Sequence, residues 1–430
     1  MRVLVLGGYG FIGAEIVRAL IRSGHEVVAL GRNAKTGRRL IPDATWIGAD
    51  IATLDTPEKW APHLDGADAI VNAAGALQDG PRDRLAMVHH LAIAGCVEAA
   101  ETAGVRRFVQ ISAVGAEVSA STDFMRTKAQ GDAAVKASSL DWTLLRPGLV
   151  IGRNAFGGTA MLRMLAAMPL VEALAFPDAQ VQSVSIDDVT DAVNRGIAGE
   201  VPGRAAYDLV EDEPRRLRDI VRSIRRWQGF DETKFSVVAP HSVVAFMSLL
   251  ADAAGLLGWR SPLRSTAMRV MSENVLGDPR PWRAVTGHSL KSFNEILRDL
   301  PSTAQERVYA RAGLALPLMV ATLGLFWIAS GVIGLFEIER ASAHLKALGD
   351  PAAKALVLGG SFLDIAIGAG ILWRPTARRA AVLSIAVSAF YLAAGTITVP
   401  ELWIDPFGPL VKVLPAMALA AATALLLEER

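Results

Sequence analysis

The chain has 430 residues, enough for two or more domains, and a formal net charge of +1 with no basic patch interleaved with aromatic residues, so nucleic-acid binding is not expected. Its one cysteine, Cys96, excludes an internal disulfide and a multi-cysteine metal site, and no metal site is predicted. Hydrophobic residues make up 52% of the chain and the mean hydropathy is +0.33, which predicts membrane-embedded segments.

The chain begins with a predicted strand, a glycine-rich turn and a predicted helix. Residues 2–6 are apolar and rich in β-branched side chains, and residues 14–22 repeat apolar side chains at helical spacing. Glycines in such a turn allow a tight bend and a close approach of pyrophosphate to the backbone and to the helix N-terminus. We therefore predict a dinucleotide site rather than an ordinary βα turn, formed by Gly7, Gly8, Tyr9, Gly10, Phe11, Ile12 and Gly13.

The second predicted strand, residues 25–30, is followed by Gly31, Arg32 and Asn33. A dinucleotide domain reads the adenosine ribose at this point, and an acidic residue there favours NAD. Arg32 can instead pair with a 2′-phosphate, so we predict NADP(H) over NAD(H), with Arg32 and Asn33 in the site. A solvated surface arginine is the alternative.

Three further strands are predicted at residues 46–49, 69–75 and 108–113, with a helix over 87–102. Strands that alternate with helices predict an α/β fold with a doubly wound parallel sheet, which binds ligands at the carboxyl ends of its strands.

Several predicted site residues stand at these strand ends. Asp50 either meets the adenine or caps the next turn. The small residues Ala73, Ala74 and Gly75 are expected where backbone lies close to a cofactor, and Ser112 ends the fifth strand.

Six sequence blocks stand in the order found in extended short-chain dehydrogenases: GGYGFIG, VNAAG, AGVRRFVQISAVGA, RTKAQGD, LLRPGLVIG and VSIDDV. The chain most resembles the atypical branch, similar to the NADPH-binding accessory subunit of respiratory complex I and to NmrA-like proteins. The resemblance covers about the first half of the chain and implies a Rossmann-type, epimerase/dehydratase-like NAD(P)-binding domain.

The resemblance also implies a catalytic set. It assigns Ser112 to the serine position and Lys128 to the lysine position, where the lysine holds the nicotinamide ribose, and it places Pro147 in the segment that passes the nicotinamide. The tyrosine position is Phe124, which cannot move a proton. His89 stands at the position of a helix asparagine, and we predict that it either supplies a proton near neutral pH or is part of a polar helix face.

The first domain is predicted over residues 1–311, with a variable substrate or lid region at about 202–311. Within that region, residues 241–259 form an apolar helical pattern with a narrow small-or-polar stripe. Such a helix lies on a membrane surface, caps a lipophilic pocket, or packs as core.

Residues 312–430 predict an all-α four-helix transmembrane domain, with spans at about 313–336, 355–373, 380–399 and 408–427. This part resembles the DoxX-like domain in GSFLDIAIGAGIL and PELWIDPFGPLVKVLP. Asp364 lies within the second span, where an acid marks either a functional site or a hydrogen bond between helices.

The basic residues predict an orientation. Arg307 and Arg311 precede the first span, three arginines lie at 374–379 between the second and third spans, and the loop 400–406 has none. The protein is therefore expected to be a multi-pass protein of the inner membrane, with its nucleotide domain and C-terminus in the cytoplasm.

These features predict an oxidoreductase that acts on a lipophilic, quinone- or isoprenoid-like substrate at the cytoplasmic face of the bilayer. Phe124 motivates the alternative, a non-catalytic NADP(H)-binding sensor or an assembly factor that has a membrane complex as its partner.

Overall fold

The computed structural model describes residues 1–76, 79–80, 84–261, 263–343, 345 and 349–427. The chain divides into two compact units. The first is Met1–Asp252 with Ser261–Glu306, and the second is Ala253–Arg260 with Arg307–Arg430. Residues 428–430, at the end of the predicted membrane domain, lie outside the described residues.

The strands, in chain order, are β1 (Arg2–Leu6), β2 (Glu26–Gly31), β3 (Thr45–Gly48), β4 (Ala69–Asn72), β5 (Arg107–Ile111), β6 (Asp141–Pro147), β7 (Leu149–Ile151), β8 (Val171–Leu174), β9 (Gln180–Val181), β10 (Ser183–Ser185), β11 (Ala205–Leu209), β12 (Arg215–Arg216) and β13 (Phe235–Val238).

The helices are α1 (Phe11–Arg22), α2 (Ala34–Leu40), α3 (Pro57–Trp60), α4 (Ala92–Thr102), α5 (Asp123–Ala137), α6 (Gly158–Ala166), α7 (Ile186–Ala198), α8 (Leu217–Trp227), α9 (His241–Leu256), α10 (Ser265–Ser272), α11 (Arg280–Thr286), α12 (Phe293–Asp299), α13 (Ala304–Phe336), α14 (Ile338–Ser342), α15 (Asp350–Leu372), α16 (Ala377–Thr398) and α17 (Val413–Leu426).

A seven-stranded sheet in the order β3-β2-β1-β4-β5-β6-β11 forms the centre of the first unit, and all its pairings are parallel. Successive residues of β1 face opposite sides. Val3 and Val5 pack in one core with α1 and α7, whereas Leu4 and Leu6 pack in another with α4. Both faces are therefore covered, which confirms the predicted doubly wound α/β fold. The strand order reverses beside β1, where such sheets open a ligand crevice.

A smaller apolar core lies outside the sheet. It is built from α6, α8 and α12 with the short strands β7, β8 and β9, and it includes buried Leu162, Ile220 and Phe293. It lies in the part of the chain that includes the predicted variable region.

Among the described residues, three helices are long and apolar enough to cross a membrane: α13, α15 and α16. They coincide with the first three predicted spans. The fourth is shorter than expected, because Gly408 has a φ of +56° and residues 409–412 form turns, so that α17 has only 14 residues. At 1.5 Å per residue it is about 21 Å long, less than the ~30 Å hydrocarbon core.

Asp364 joins neighbouring helices of the second unit. Its carboxylate accepts hydrogen bonds from Ser330 on α13 at 2.8 Å and from Tyr391 on α16 at 2.9 Å. A Cβ on Gly331 would collide with the carbonyl of Ser361, so glycine lets α13 and α15 pack closely here. Both carboxylate oxygens of Asp364 are thus used between helices, the second of the two predicted roles.

Candidate nucleotide-binding site

The predicted glycine turn joins β1 to α1. Gly7 has a φ of +73°, a conformation that favours glycine, and the amide of Gly10 donates to its carbonyl at 2.9 Å. A Cβ on Gly13 would collide with the carbonyl oxygen of Gly7, so α1 can begin this close to β1 only with glycine there. Since Gly10 is the N-cap of α1, the amides of the first helical turn point out beside it.

The glycine turn also packs against the loop that follows β4. A Cβ on Gly7 would lie 2.8 Å from Cα of Ala74 and 2.9 Å from the carbonyl of Ala73. By contrast, a Cβ on Gly10 would meet only the Gly7 carbonyl, at 3.1 Å. The side of Gly10 away from the Gly7 carbonyl is therefore open, as a dinucleotide turn requires for a pyrophosphate.

Tyr9 connects the glycine turn to the end of β2. Its hydroxyl accepts the amide of Asn33 at 3.2 Å, and its ring lies 5.9 Å from that of Trp46. The Asn33 side chain accepts the amides of Lys35 and Thr36 at 3.1 Å each, and thereby caps α2. Arg32 is exposed beside this cap.

Asp50, after β3, caps a short 3₁₀ helix, because its carboxylate accepts the amide of Ala52 at 3.1 Å. This is the second of the two predicted roles for Asp50.

A chain of side-chain hydrogen bonds runs from Asn72 to Asp132, and Ser112 donates to the same carboxylate. Asn72 accepts the amide of Ala74 at 3.0 Å and donates to Gln110 at 2.9 Å, and Gln110 donates to Asp132 Oδ1 at 3.3 Å. The side-chain oxygens of Asn72 and Gln110 each accept a hydrogen bond, so their side-chain nitrogens are the groups that donate to the next residue. The Ser112 hydroxyl donates to Asp132 Oδ2 at 2.5 Å, so both carboxylate oxygens have partners.

Asp132 was missed in the sequence analysis. It lies on α5, four residues after Lys128, so the two share one helix face, and this spacing was the available signal. Its side chain is 2% exposed. Burial raises its pKa, against the opposing effects of the Ser112 hydrogen bond, the Lys128 charge, the Gln110 hydrogen bond and the Arg146 charge.

Lys128 and Phe124 lie on the same side of α5. The buried Lys128 ammonium donates to the carbonyl of Ile111 at 3.0 Å and lies 5.8 Å from the centre of the Phe124 ring. Burial lowers the pKa of Lys128, and the charge of Asp132 opposes that shift. The Phe124 ring is thus next to the lysine, with no hydroxyl to carry a proton.

His89 has a partner for each ring nitrogen. It lies in a π-helical turn, Met87–Leu91, where Nε2 accepts the amide of Ala76 at 3.0 Å and Nδ1 lies 2.9 Å from Thr127 Oγ1. The Thr127 hydroxyl donates to the carbonyl of Asp123 at 2.8 Å, so it accepts the proton of Nδ1. Burial, together with the Lys128 charge, lowers the pKa of His89 to about 3.

His89 is therefore neutral and holds the loop after β4. A proton-transfer role for it stays a prediction, and neither ring nitrogen is left available for one. Gly131 on α5 permits this packing, because a Cβ there would collide with the His89 carbonyl.

Most of the predicted site residues lie at the carboxyl ends of the sheet strands. A Cβ on Gly75 would be 3.5 Å from His89 Nε2 and 3.9 Å from Lys128 Nζ, so the loop after β4 borders this cluster. Pro147, at the end of β6, accepts the amide of Val114 at 3.3 Å. The glycine turn lies between this group and the Arg32 end, the arrangement that an extended dinucleotide requires.

Comparisons with known proteins agree with this geometry. Residues 7–167 match the NAD(P)H-binding family and residues 324–421 match the DoxX-like family. The first unit therefore contains an NAD(P)H-binding domain with a Rossmann-type fold. A DoxX-like domain follows it. Together with the three helices of the described residues that are long and apolar enough to cross a membrane, this indicates a membrane protein.

Proteins similar to this chain are named for different functions. The chain is 26% identical to the photosystem II assembly factor Ycf39 of Synechocystis (57% of this chain, 73% of that protein). It is 27% identical to sterol demethylase protein B of Methylococcus capsulatus (59% and 81%) and 24% identical to ceramide reductase of Caulobacter vibrioides (46% and 60%). The chain spans only 57% of another relative, a chloroplast protein of Arabidopsis thaliana.

Solved structures support the fold. UDP-glucose 4-epimerase from Thermotoga maritima superposes with a TM-score of 0.53 at 16% identity, covering 73% of this chain and 100% of that one. At such low identity the likeness defines the fold alone.

Proposed function

We propose that this protein is a membrane-bound, NADP(H)-dependent oxidoreductase that reduces or oxidises a lipophilic substrate, quinone- or isoprenoid-like, at the cytoplasmic face of the bilayer. The observation that carries the proposal is the buried Ser112–Asp132 pair beside Lys128, in a chain whose described part also includes three potential membrane spans. Two relatives are named for sterol and ceramide chemistry, which supports a lipid as the substrate class.

The residues of the glycine turn would hold the cofactor pyrophosphate, and Lys128 would hold the nicotinamide ribose. Arg32 is an exposed base just after β2 and could pair with a 2′-phosphate, which is why we favour NADP(H). A bound nicotinamide supplies or accepts the hydride.

Another residue of the chain must donate or accept the proton, because Phe124 stands where a tyrosine would do so. Reduction starts from protonated Asp132, which then donates to Ser112 instead of accepting from it. The substrate oxygen takes the hydroxyl proton of Ser112, and Ser112 takes a proton from Asp132, which is left as a carboxylate near Lys128 and Arg146. In oxidation the same protons move in reverse, and Asp132 becomes protonated. Gln110 fixes the carboxyl group through the amide chain described above.

The test uses the full chain in lipid nanodiscs with NADPH deuterated at C4. The probes are an isoprenoid quinone, a 3-ketosteroid and a long-chain ketone, with a small water-soluble ketone as control. We expect carbon-bound deuterium in the alcohol formed from the 3-ketosteroid or the long-chain ketone, or hydroquinone formation measured by absorbance because a hydroquinone deuteron exchanges with water, and no product from the control ketone. Tight NADPH binding with no transfer to any probe would refute the oxidoreductase.

That outcome would favour the second candidate, a nucleotide-binding sensor or assembly factor. Phe124 supports it, and one relative is named as an assembly factor. Under this alternative, NADPH binding would change the copurification of membrane partners, and Asp132→Asn would leave that effect intact.

The cytoplasmic location is tested by cysteine labelling after Cys96 is replaced by alanine. Residues 400–406 include no basic residue, whereas Arg374 lies between α15 and α16, and Arg378 and Arg379 lie in the first turn of α16. A cysteine at Leu402 should react with an impermeant reagent added outside intact cells, and one at Thr376 should not. The opposite pattern would invert the proposed topology.

A further inference from the structure

Helix α9 has its large apolar side chains on the outside. The residues it buries are the small Ser248, Ala251 and Gly255, at spacings of three and four. Its large residues face outward, with Phe246 59% exposed and Leu249 65% exposed. A helix on the surface of a soluble protein has the reverse arrangement, with large apolar residues toward the core.

Strand β13 extends this surface. It precedes α9 by only two residues, and Phe235, Val237 and Val238 are all exposed on it. We call the combined area the α9–β13 surface, formed mainly by Phe235, Val237, Val238, Phe246, Leu249 and Leu250. Complete burial of one such side chain is worth roughly 1.5–3 kcal/mol, so leaving all six in water is costly.

Charge is confined to the ends of the helix. The ten residues from Ser242 to Ala251 include no ionisable side chain, and His241 and Asp252 flank them. Asp252 pairs with Arg264 at 3.0 Å, and Arg264 also donates to the carbonyl of Asp79 at 3.3 Å. This leaves an uncharged apolar strip between polar ends, the pattern of a helix that lies in a membrane interface.

The segment after α9 is fixed to the end of α15. The Trp259 indole donates to the carbonyl of Leu372 at 2.6 Å, and the amide of Arg374 donates to the carbonyl of Leu257 at 3.0 Å. The Arg374 guanidinium lies 5.5 Å above the Trp259 ring. Because α15 is long enough to span a bilayer, its end lies near the membrane–water boundary, where tryptophan and arginine are common.

We propose that the α9–β13 surface inserts into the lipid leaflet at that boundary, with α9 in the plane of the membrane. A leaflet is always present next to a chain with membrane spans, and α9 continues without a break into residues 253–256, which belong to the same compact unit as those spans. The lipid contact is independent of hydride transfer and can be tested without a substrate.

The experiment uses the full chain with Cys96→Ala and one introduced cysteine, labelled with a nitroxide in phosphatidylcholine–phosphatidylglycerol vesicles. Test sites are Phe246 and Leu249. Leu40 on α2, 46% exposed and apart from the surface, is the matched control. We expect oxygen to relax the labels at 246 and 249 more than a water-soluble nickel chelate does, and the reverse at 40. Retained NADPH binding verifies folding.

Two outcomes would overturn the proposal. Labels at 246 and 249 that are as accessible to the nickel chelate as the label at 40 would place the surface in water. Labels inaccessible to both reagents, with spin–spin coupling that disappears on dilution with unlabelled protein, would assign the surface to a second copy of the chain.

Discussion

Ser112 and Asp132 share a short hydrogen bond of 2.5 Å inside the protein, between the end of β5 and the middle of α5. The two residues are 20 positions apart, and both side chains are at most 3% exposed. While the Ser112 hydroxyl donates to ionised Asp132, its lone pairs can accept the proton of an alcohol. Once Asp132 is protonated it donates to Ser112, and the Ser112 hydroxyl can then donate to a substrate oxygen, so the pair can pass a proton in either direction.

Asp132→Asn tests that proton path, because the amide keeps the size of the side chain but cannot release a proton at neutral pH. We expect the rate of NADPH-dependent reduction to fall by about 10²-fold or more, with the NADPH dissociation constant little changed. Stopped-flow absorbance and calorimetry measure the two quantities. An equal loss of binding and rate would instead indicate a structural role.

The pH profile gives an independent test of the same group. Reduction requires protonated Asp132, and burial raises the pKa of this carboxyl above its ordinary value. The wild-type reduction rate should therefore fall as the pH rises through that raised pKa, and the rate of the reverse oxidation should increase. Asp132→Asn should remove this dependence from both directions.

Phe124→Tyr adds a hydroxyl beside Lys128, whose ammonium lies 5.8 Å from the ring centre. In the wild-type background we expect little change in the reduction rate, because Asp132 already supplies the proton through Ser112. Combined with Asp132→Asn, the tyrosine should restore roughly tenfold of the lost rate. The control combines Phe124→Leu with Asp132→Asn. Equal reduction rates for the tyrosine and leucine double variants would contradict a second proton route.

Because His89 is buried in its neutral form, we expect the stability of the fold to decrease in acid. Its pKa is lowered from 6.5 to about 3, so between these values the unfolded state binds more protons than the folded state. Stability is therefore fully present above about pH 6.5 and declines as the pH falls toward 3, by about 2 kcal/mol at pH 5. Fluorescence-detected unfolding in detergent should show this loss in the wild type and in His90→Gln, and a reduced loss in His89→Gln.

Arg32→Asp should lower the affinity for NADP by about tenfold or more and change the affinity for NAD little, because an attraction to the 2′-phosphate becomes repulsion. Arg39→Asp, at another exposed arginine of the same segment, controls for the general change in charge. Calorimetry with both cofactors measures the ratio. A wild type that prefers NAD would refute the choice of cofactor.

Local sequence signals predicted the parts of the fold that local physics determines. The apolar runs identified the strands of the sheet. The glycine spacing identified the turn after β1, in which positions 7 and 13 require glycine because a Cβ there would collide with backbone atoms. Asp132 was missed because its partner is brought to it by the crossover from β5 to α5, which no short pattern encodes. Similarly, periodicity defined the two faces of α9 but not which one would be buried.

Arg264 bridges α9 and the loop after β4, because it donates both to the Asp252 carboxylate and to the backbone carbonyl of Asp79. The Asp79 carboxylate in turn accepts the amide of Leu85. If α9 lies in lipid, Arg264 would link it to the loop after β4, which borders the cluster around His89. Turnover would then depend on the mole fraction of substrate within the lipid rather than on its bulk concentration, and diluting the substrate with inert phospholipid would slow the protein even when the total amount of substrate is unchanged.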